Sequence, residues 1–193
     1  MKKLLILLIF ITGCASYNYG RVEVKDIDSY INSAKKENIK IAVDPYDTPQ
    51  KAQGAFYIDV TSKNFYPVNL IVENNSKEKI LILKNSIELQ DNYGNTFNPV
   101  NSHIMSDVFK KSKMAYALLG FGIFSYMSAE EANRKMQQDW QEKELSEQLI
   151  ILPQRKTNGF VYFQLNNSPR GSKLYIQAEK LETKQKISFE IQL

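Results

Sequence analysis

The chain has 193 residues, of which 25 are Lys or Arg and 21 are Asp or Glu, and its formal net charge is +4. This near balance does not demand nucleic acid as a partner. The single cysteine excludes a structural disulfide within the chain, and the single histidine excludes a metal site built from several imidazoles. The length suits one domain whose core carries an insertion.

The first 13 residues have the organisation of an export signal. Lys2 and Lys3 supply positive charge, and an apolar run over residues 4–11 follows them. Such a short run cannot span a hydrocarbon layer of about 30 Å, which needs about 20 residues. The sequence therefore predicts a removable signal peptide over residues 1–13.

The end of this run carries the most specific motif in the chain. Ile11, Thr12 and Gly13 precede Cys14, and the four residues resemble the lipobox of bacterial lipoproteins. The resemblance implies cleavage before Cys14, a thioether-linked diacylglycerol on its sulfur, and an N-acyl chain such as palmitate on its amino group. The alternative is an ordinary secretory signal in which Cys14 has no role.

Lipidation of Cys14 makes the cell envelope the expected location, with the membrane as a partner through the acyl chains. Ala15 resembles the outer-membrane sorting pattern, so an organism with two membranes would hold the protein on the outer membrane, facing the periplasm. Lipidation also consumes the only thiol, which would otherwise be open to unwanted pairing after export. Cleavage would leave 23 basic residues against 21 acidic ones, a net charge of +2.

Residues 14–38 are predicted to connect the anchor to the domain. Residues 15–24 are polar and aromatic without a helical period, which indicates a tether. A short helix is predicted over residues 26–38, because Asp26 or Asp28 can cap it and Ile27 and Ile31 lie four residues apart.

Residues 39–193 are predicted to form the domain, which consists mainly of short strands. Two prolines and a glycine make residues 45–54 a predicted loop. Asp91 to Asn95 is predicted to be a hairpin turn in which Gly94 takes a positive φ. The last strand alternates, with Ile187, Phe189 and Ile191 on one face, which indicates a sheet with one wet face. The predicted strands are 39–43, 56–60, 66–74, 79–83, 86–90, 96–100, 149–152, 160–165, 174–178 and 187–193.

Short strands at this spacing predict a mainly β fold, an antiparallel β-sandwich. The succession of an apolar strand, an Asp91-x-x-Gly94-Asn95 turn and a Phe97-x-Pro99 strand resembles the Ig-like extracellular domains of many bacterial lipoproteins. That resemblance implies a binding or scaffold module and transfers no catalytic residue to this chain.

An insertion at about residues 102–147 is predicted to be a helical hairpin. Its first arm, residues 114–127, carries no charge, and Ser128 with Glu131 forms a capping box that predicts the start of the second arm. The second arm is expected to bury a narrow stripe and to form ion pairs four residues apart. The stripe is Ala129, Ala132, Met136 and Trp140, and the pairs are Glu130–Arg134, Glu131–Lys135 and Asp139–Lys143.

The uncharged arm has two interpretations. It either covers a face of the sandwich or contacts a partner or the membrane leaflet, with lysines 110–113 at the headgroups. At about 1.5 Å per residue, a helix of this length is too short to cross a bilayer. The candidate contact residues are Leu118, Leu119, Phe121, Ile123 and Phe124.

The sequence favours no catalytic or cofactor chemistry. His103 is the only histidine and no Gly-x-Ser-x-Gly motif exists. Residues 120–122 lack the lysine and third glycine of a phosphate-binding loop. Asp91 and Asn95 would be poor calcium ligands without further acids, so a turn is the better interpretation. We therefore expect a protein that is not an enzyme and holds no metal or cofactor.

The aromatic residues leave one further possibility open. Tyrosines exposed on the surface would suit sugar or protein binding, although strand stabilisation is the commoner role. The tyrosines considered are Tyr17, Tyr19, Tyr46 and Tyr66.

The leading hypothesis is a lipid-anchored, non-catalytic binding or scaffold module of the cell envelope, whose partner is an envelope protein or an apolar ligand. One alternative is a structural component of a secretion or transport assembly, an analogy at fold level only. Another is a carrier of an apolar ligand, which predicts a cavity between the helical hairpin and the sheet.

Overall fold

The computed structural model describes residues 17–110 and 122–193, except for the side chains of residues 122–128. This part of the chain contains nine strands and three α-helices. The strands are β1 Ser33–Lys36, β2 Ile39–Pro45, β3 Phe65–Asn74, β4 Ile80–Gln90, β5 Thr96–Phe97, β6 Gln148–Ile151, β7 Arg155–Gln164, β8 Lys173–Lys180 and β9 Lys186–Gln192. The helices are α1 Pro49–Phe56, α2 Ser102–Phe109 and α3 Gly122–Lys143.

The strands form two antiparallel sheets, as the sequence predicts. The first sheet has the order β1-β2-β3-β7 and the second has the order β5-β4-β8-β9, with β6 also paired to β4. Alternate residues of both sheets meet in one apolar core that includes Val68, Leu70, Ile82, Ile176 and Phe189. The fold is therefore mainly β and an antiparallel sandwich with a helical insertion.

The outer faces of the two sheets differ. In β9, Ile187, Phe189 and Ile191 are buried while Ser188 and Glu190 are exposed, so the second sheet has the predicted wet face. Strand β3 is buried along both faces, because helices cover the outer face of the first sheet. The molecule thus has three layers: a helical layer, the first sheet and the second sheet.

Helix α1 corrects two predictions. Residues 45–54 are not a loop and 56–60 are not a strand, since α1 spans Pro49–Phe56. Thr48 is the N-cap and its hydroxyl accepts a hydrogen bond from the Lys51 amide at 3.4 Å. Pro49 lies in the first turn, where a backbone N–H has no partner within the helix, so proline costs the helix no hydrogen bond. Tyr57, with a φ of 61°, ends the helix.

The helix predicted over residues 26–38 is also wrong. Asp26 does cap a helical turn, but this is a 3₁₀ turn of three residues, Ile27–Ser29. The chain then forms β1, which pairs with β2 through a hairpin whose loop residues Glu37 and Asn38 both have positive φ. Ile31 is 98% exposed instead of packing on Ile27.

Three further boundaries differ from the predictions. The segments 79–83 and 86–90 form one strand, β4, whose register shifts between Ile82 and Ile87. Strand β5 covers only Thr96–Phe97 of the predicted 96–100. Ser128 does not begin a helix, because α3 starts at Gly122 and passes through this position. Continuing an existing helix is easier than nucleating a new one, so a capping box inside a helix has no effect.

The other predicted strands are confirmed with shifted ends. They are 39–43 in β2, 66–74 in β3, 149–152 in β6, 160–165 in β7, 174–178 in β8 and 187–193 in β9.

Candidate contact site at the base of the helical insertion

The predicted anchor and contact residues lie largely beyond the described part of the chain. Ile11, Thr12, Gly13 and Cys14 lie outside the described residues, as do Leu118, Leu119 and Phe121. Ile123 and Phe124 belong to α3, but their side chains are outside the description. The structure does show the residues next to these two segments: Tyr17, which follows the anchor residues, and the end of α2, which precedes the contact residues.

The N-terminal segment is seated on the domain from Tyr17 onward, which corrects the prediction of an exposed tyrosine on a tether. Tyr17 is only 6% exposed and belongs to the apolar cluster of the helical layer. The Arg21 amide donates to the Gly54 carbonyl at 3.2 Å. A Cβ atom on Gly20 would lie 2.0 Å from the Ala55 carbonyl oxygen, so only glycine permits this approach.

A buried polar network holds Tyr17 in place. Its hydroxyl lies 2.6 Å from an oxygen of Asp139 and accepts a hydrogen bond from the Trp140 indole N–H at 2.9 Å. The same Asp139 oxygen accepts from the Lys143 ammonium at 2.6 Å, which also donates to the Ala55 carbonyl at 2.6 Å. The Asp139 side chain is 4% exposed and that of Lys143 is 13% exposed. The network therefore connects the N-terminal segment, α1 and α3.

A pocket of about 240 Å³ opens beside this network. We call it the junction pocket; its walls include Tyr17, Tyr57, Ile58, Phe109, Ala132 and Met136. It lies between the N-terminal segment, the end of α1 and the insertion, whereas the carrier hypothesis predicts a cavity between the hairpin and the sheet. Its volume is below the roughly 300–1,000 Å³ of typical small-molecule sites.

The helix α3 presents the predicted stripe to this region. Ala129, Ala132, Met136 and Trp140 are all buried. Two of the predicted ion pairs are confirmed, Glu131–Lys135 at 2.8 Å and Asp139–Lys143 at 2.6 Å. The pair Glu130–Arg134 stays a prediction.

A second polar cluster, which the sequence analysis missed, holds both ends of the insertion. Lys84 projects from the bulge in β4 and its side chain is 3% exposed. Its ammonium contacts Glu144, donates to the Asn101 amide oxygen at 2.5 Å and lies 3.0 Å from Glu147. The residues on either side of the insertion therefore meet at one lysine of the second sheet.

Glu144 extends this cluster to the first turn of α2. Its second carboxylate oxygen accepts from the Ser102 amide at 3.1 Å and from the Ser102 hydroxyl at 2.5 Å. The N-cap residue Asn101 makes no side-chain cap hydrogen bond, so Glu144 supplies the acceptor instead. A carboxylate at a helix N-terminus is also favoured by the helix dipole. The sequence did carry one signal: Lys84 continues the inward period of Ile80 and Ile82.

Most exposed apolar side chains of the described surface fall into two groups, and Val24, Ile31 and Tyr93 belong to neither. Tyr19 and Tyr57, 51% and 41% exposed, both contact the Tyr17 ring edge to face. Helix α2, whose last residue Phe109 lines the junction pocket together with Tyr57, exposes Ile104 and Val108 one turn apart. The other region lies on the outer face of the second sheet and beyond β6, and comprises Leu83, Ile150 and Leu152.

The remaining predicted residues have structural positions. Tyr46 and Tyr66 are buried, which corrects their predicted exposure, and only Tyr19 of the four tyrosines considered is exposed. His103 lies in the first turn of α2. Asp91 accepts from the Tyr93 and Asn95 amides at 2.9 and 2.8 Å, and Gly94 has a φ of 85° as predicted. The Asn95 side-chain amide and these backbone donors lower the pKa of Asp91.

The described residues show neither a metal-binding cluster nor a membrane-spanning helix. Within residues 17–110 and 122–193 there is no group of three or more His, Cys, Asp or Glu side chains placed to hold a metal ion. In the same ranges no helix has both the length and the apolar character needed to cross a membrane.

Buried tyrosines predict a loss of stability at alkaline pH. Burial, followed by the charges of Glu144 and Asp139, raises the pKa of Tyr162 well above its ordinary value, and burial also raises the pKa of Tyr17 and Tyr46. Their contribution is intact below pH 10, where unfolded tyrosine is still protonated, and is lost as the pH rises further. For Tyr162 we expect the loss to approach about 1.4 kcal/mol per pH unit.

Urea unfolding between pH 9 and 12, with absorbance at 295 nm to follow ionisation, measures this effect. The variant Tyr162→Phe should show a shallower decline above pH 10 than the parent. Equal slopes for the two proteins would contradict the assignment.

Comparisons with known proteins identify no family. No protein-family model matches the chain, and no curated protein matches it. The yjhA protein from Bacillus subtilis shares 11% identity at a TM-score of 0.44, over 85% of this chain and 97% of that one. The B. subtilis strain 168 protein ycdA, described as a candidate lipoprotein, shares 11% identity at a TM-score of 0.43, over 83% of this chain and 38% of that one. At these values the comparisons carry no argument about function.

Proposed function

We propose that this protein is a lipid-anchored, non-catalytic binding module of the cell envelope. The lipobox-like residues Ile11 to Cys14 support the anchor. The observation that carries the proposal is that Tyr17, three residues after Cys14, is buried in the domain. An acyl anchor at Cys14 would therefore be joined to a folded body rather than to a free tail.

The architecture supports a scaffold role. The Lys84 cluster and the Tyr17–Asp139 network fix the insertion and the N-terminal segment to the sandwich. Two or more acyl chains, at about 0.8 kcal/mol per buried CH₂, would hold this body stably at a membrane. A module of this kind presents surfaces to other envelope components.

The apolar region of the second sheet is the surface best suited to a protein partner. Leu83 and Ile150 lie on its outer face, 36% and 52% exposed, and Leu152 follows β6 at 50% exposed. In the described chain β6 pairs with no strand other than β4, so a partner strand would pair along its other edge, although the Asn74 side-chain amide already donates to the Ile151 carbonyl at 3.1 Å. A partner strand added at this edge would meet these apolar side chains.

Neither alternative function has comparable support. The carrier hypothesis predicts a cavity between the hairpin and the sheet, whereas the junction pocket lies between the N-terminal segment, α1 and the insertion and is small for a drug-sized ligand. A component of a secretion or transport assembly would use the same surfaces, and purification of a stable multiprotein complex from native membranes would favour it.

The variant Cys14→Ser tests the anchor. Grown with an alkyne fatty acid, bacteria that express the parent should yield a labelled protein in the membrane fraction. Cys14→Ser should lose the label, because a serine hydroxyl is a far weaker nucleophile than a thiolate and does not replace it in forming the bond to diacylglycerol. The matched control Ser16→Ala should behave as the parent. A parent protein without fatty acid on Cys14 would refute the proposal.

A further inference from the structure

The distance between Cys14 and the domain limits how the protein can lie at a membrane. Two residues, Ala15 and Ser16, separate Cys14 from Tyr17, and the three residue steps span at most about 11 Å when fully extended. Tyr17 cannot move away from the domain without breaking its contacts to Asp139 and Trp140. On the proposed lipidation, the surface around Tyr17 is therefore held close to the headgroups.

The outer face of the second sheet cannot contact the headgroups at the same time as the surface around Tyr17. Tyr17 belongs to the helical layer, whereas Ile150 lies on the outer face of the second sheet. Sheets pack about 10 Å apart and a helix is about 10 Å across, so the two surfaces are separated by about 20 Å.

The side chains around Tyr17 suit a membrane interface. Tyr19 and Tyr57 are half-exposed and contact the Tyr17 ring. Tyrosine has an apolar ring and a polar hydroxyl, which is why it is enriched at the level of lipid headgroups. Lys110, which is 42% exposed, follows the junction pocket residue Phe109 and pairs with Asp107 at 2.6 Å, so this part of the edge carries no net charge.

The solvent-exposed face of α3 is polar, so only one edge of the helical layer suits contact with the membrane. Gln138 and Glu142 are exposed there and hydrogen bond to each other at 2.8 Å. A polar surface of this kind does not lie flat on a bilayer. We infer that the lipidated protein meets the membrane with the edge of its helical layer that carries Tyr19 and Tyr57, and that the apolar surface at Leu83 and Ile150 faces away from it. This inference rests on the proposed lipid anchor and adds the orientation.

The experiment places a probe on each side of the full-length, lipidated protein. Lipidation consumes the thiol of Cys14, the only cysteine in the chain, so one introduced thiol takes all of the label. Tyr57→Cys and Ile150→Cys are matched, because the native residues are 41% and 52% exposed. Each variant carries an NBD fluorophore and is reconstituted into vesicles that contain brominated phospholipids.

We expect quenching of about twofold or more for the label at position 57, since interfacial side chains lie about 5–10 Å into the headgroup boundary. The label at position 150 should be unchanged by bromine. Emission of Trp140, the only tryptophan and a buried one, verifies that each variant is folded.

The outcomes separate the orientation from the anchor. Quenching at position 150 alone, equal quenching at both positions, or no quenching at either would overturn the orientation while Cys14 still carries its lipid. Mass spectrometry reads the lipid independently. Protein that reaches membranes with Cys14 unmodified would instead refute the proposed function.

Discussion

Replacing Lys84 with methionine is expected to lower the free energy of unfolding by about 3 kcal/mol, because it leaves a buried carboxylate without its counter-charge. The side chain of Lys84 is 3% exposed and that of Glu144 is 12% exposed, so water can replace little of the lost interaction. Methionine keeps most of the aliphatic volume and removes only the charge. Urea unfolding followed by Trp140 fluorescence gives the measurement.

Two further variants make this test specific. The double variant Lys84→Met, Glu144→Gln removes both charges and should recover part of the loss, because no buried charge stays unpaired. Lys173→Ala breaks the exposed pair with Glu190 on the second sheet and should change stability far less. If Lys84→Met and Lys173→Ala lowered the free energy of unfolding equally, the buried Lys84 cluster would contribute no more to stability than an exposed ion pair.

The elements that were predicted correctly are those whose conformation is determined by their own residues. Strand β9 shows a strict alternation, and the Asp91 turn contains its own acceptor and its own glycine. The stripe Ala129 to Trp140 has helical spacing, so its burial followed from the pattern alone. Such features need no knowledge of the rest of the chain.

The missed elements depend on partners distant in the sequence. Residues 56–60 have strand propensity, yet Phe56 ends a helix because its ring packs against Phe160 and Trp140 across the helical layer. Two prolines led to the prediction of a loop instead of α1, although Pro49 lies in the first turn of the helix, where proline is favoured.

The candidate site was harder to predict than the fold. Tyr17 lies in a polar stretch that suggests a free tether, and residues distant in the sequence bury it, among them Asp139 and Trp140, more than a hundred residues away. Lys84 falls between the predicted strands 79–83 and 86–90, and lysine is rarely buried, so its burial was not predicted although it continues an inward period. Charged residues at inward positions of alternating strands are therefore useful signals for clusters of this kind.

Replacing Asp139 with alanine is expected to reduce the free energy of unfolding by about 3–5 kcal/mol. Lys143 would lose its ion pair and the Tyr17 hydroxyl would lose its charged acceptor, in a region where the side chains of Lys143 and Asp139 are nearly buried. Tyr17→Phe removes one hydroxyl and should cost about 1–3 kcal/mol, as loss of a hydrogen bond to a charged group does.

The two variants should also differ in their effect on the N-terminal segment. Hydrogen exchange of the Arg21 amide, which is bonded to the Gly54 carbonyl, reports whether residues 17–22 stay seated. Asp139→Ala should speed its exchange strongly, Tyr17→Phe less so, and Glu131→Gln, which changes an exposed pair on the same helix, not at all. If Arg21 stays protected in Asp139→Ala, then Gly20 and the apolar contacts of Tyr17 hold the segment without the polar network. If it is released, Asp139 sets the length of chain between Cys14 and the folded domain, and with it the distance at which the domain lies from the membrane.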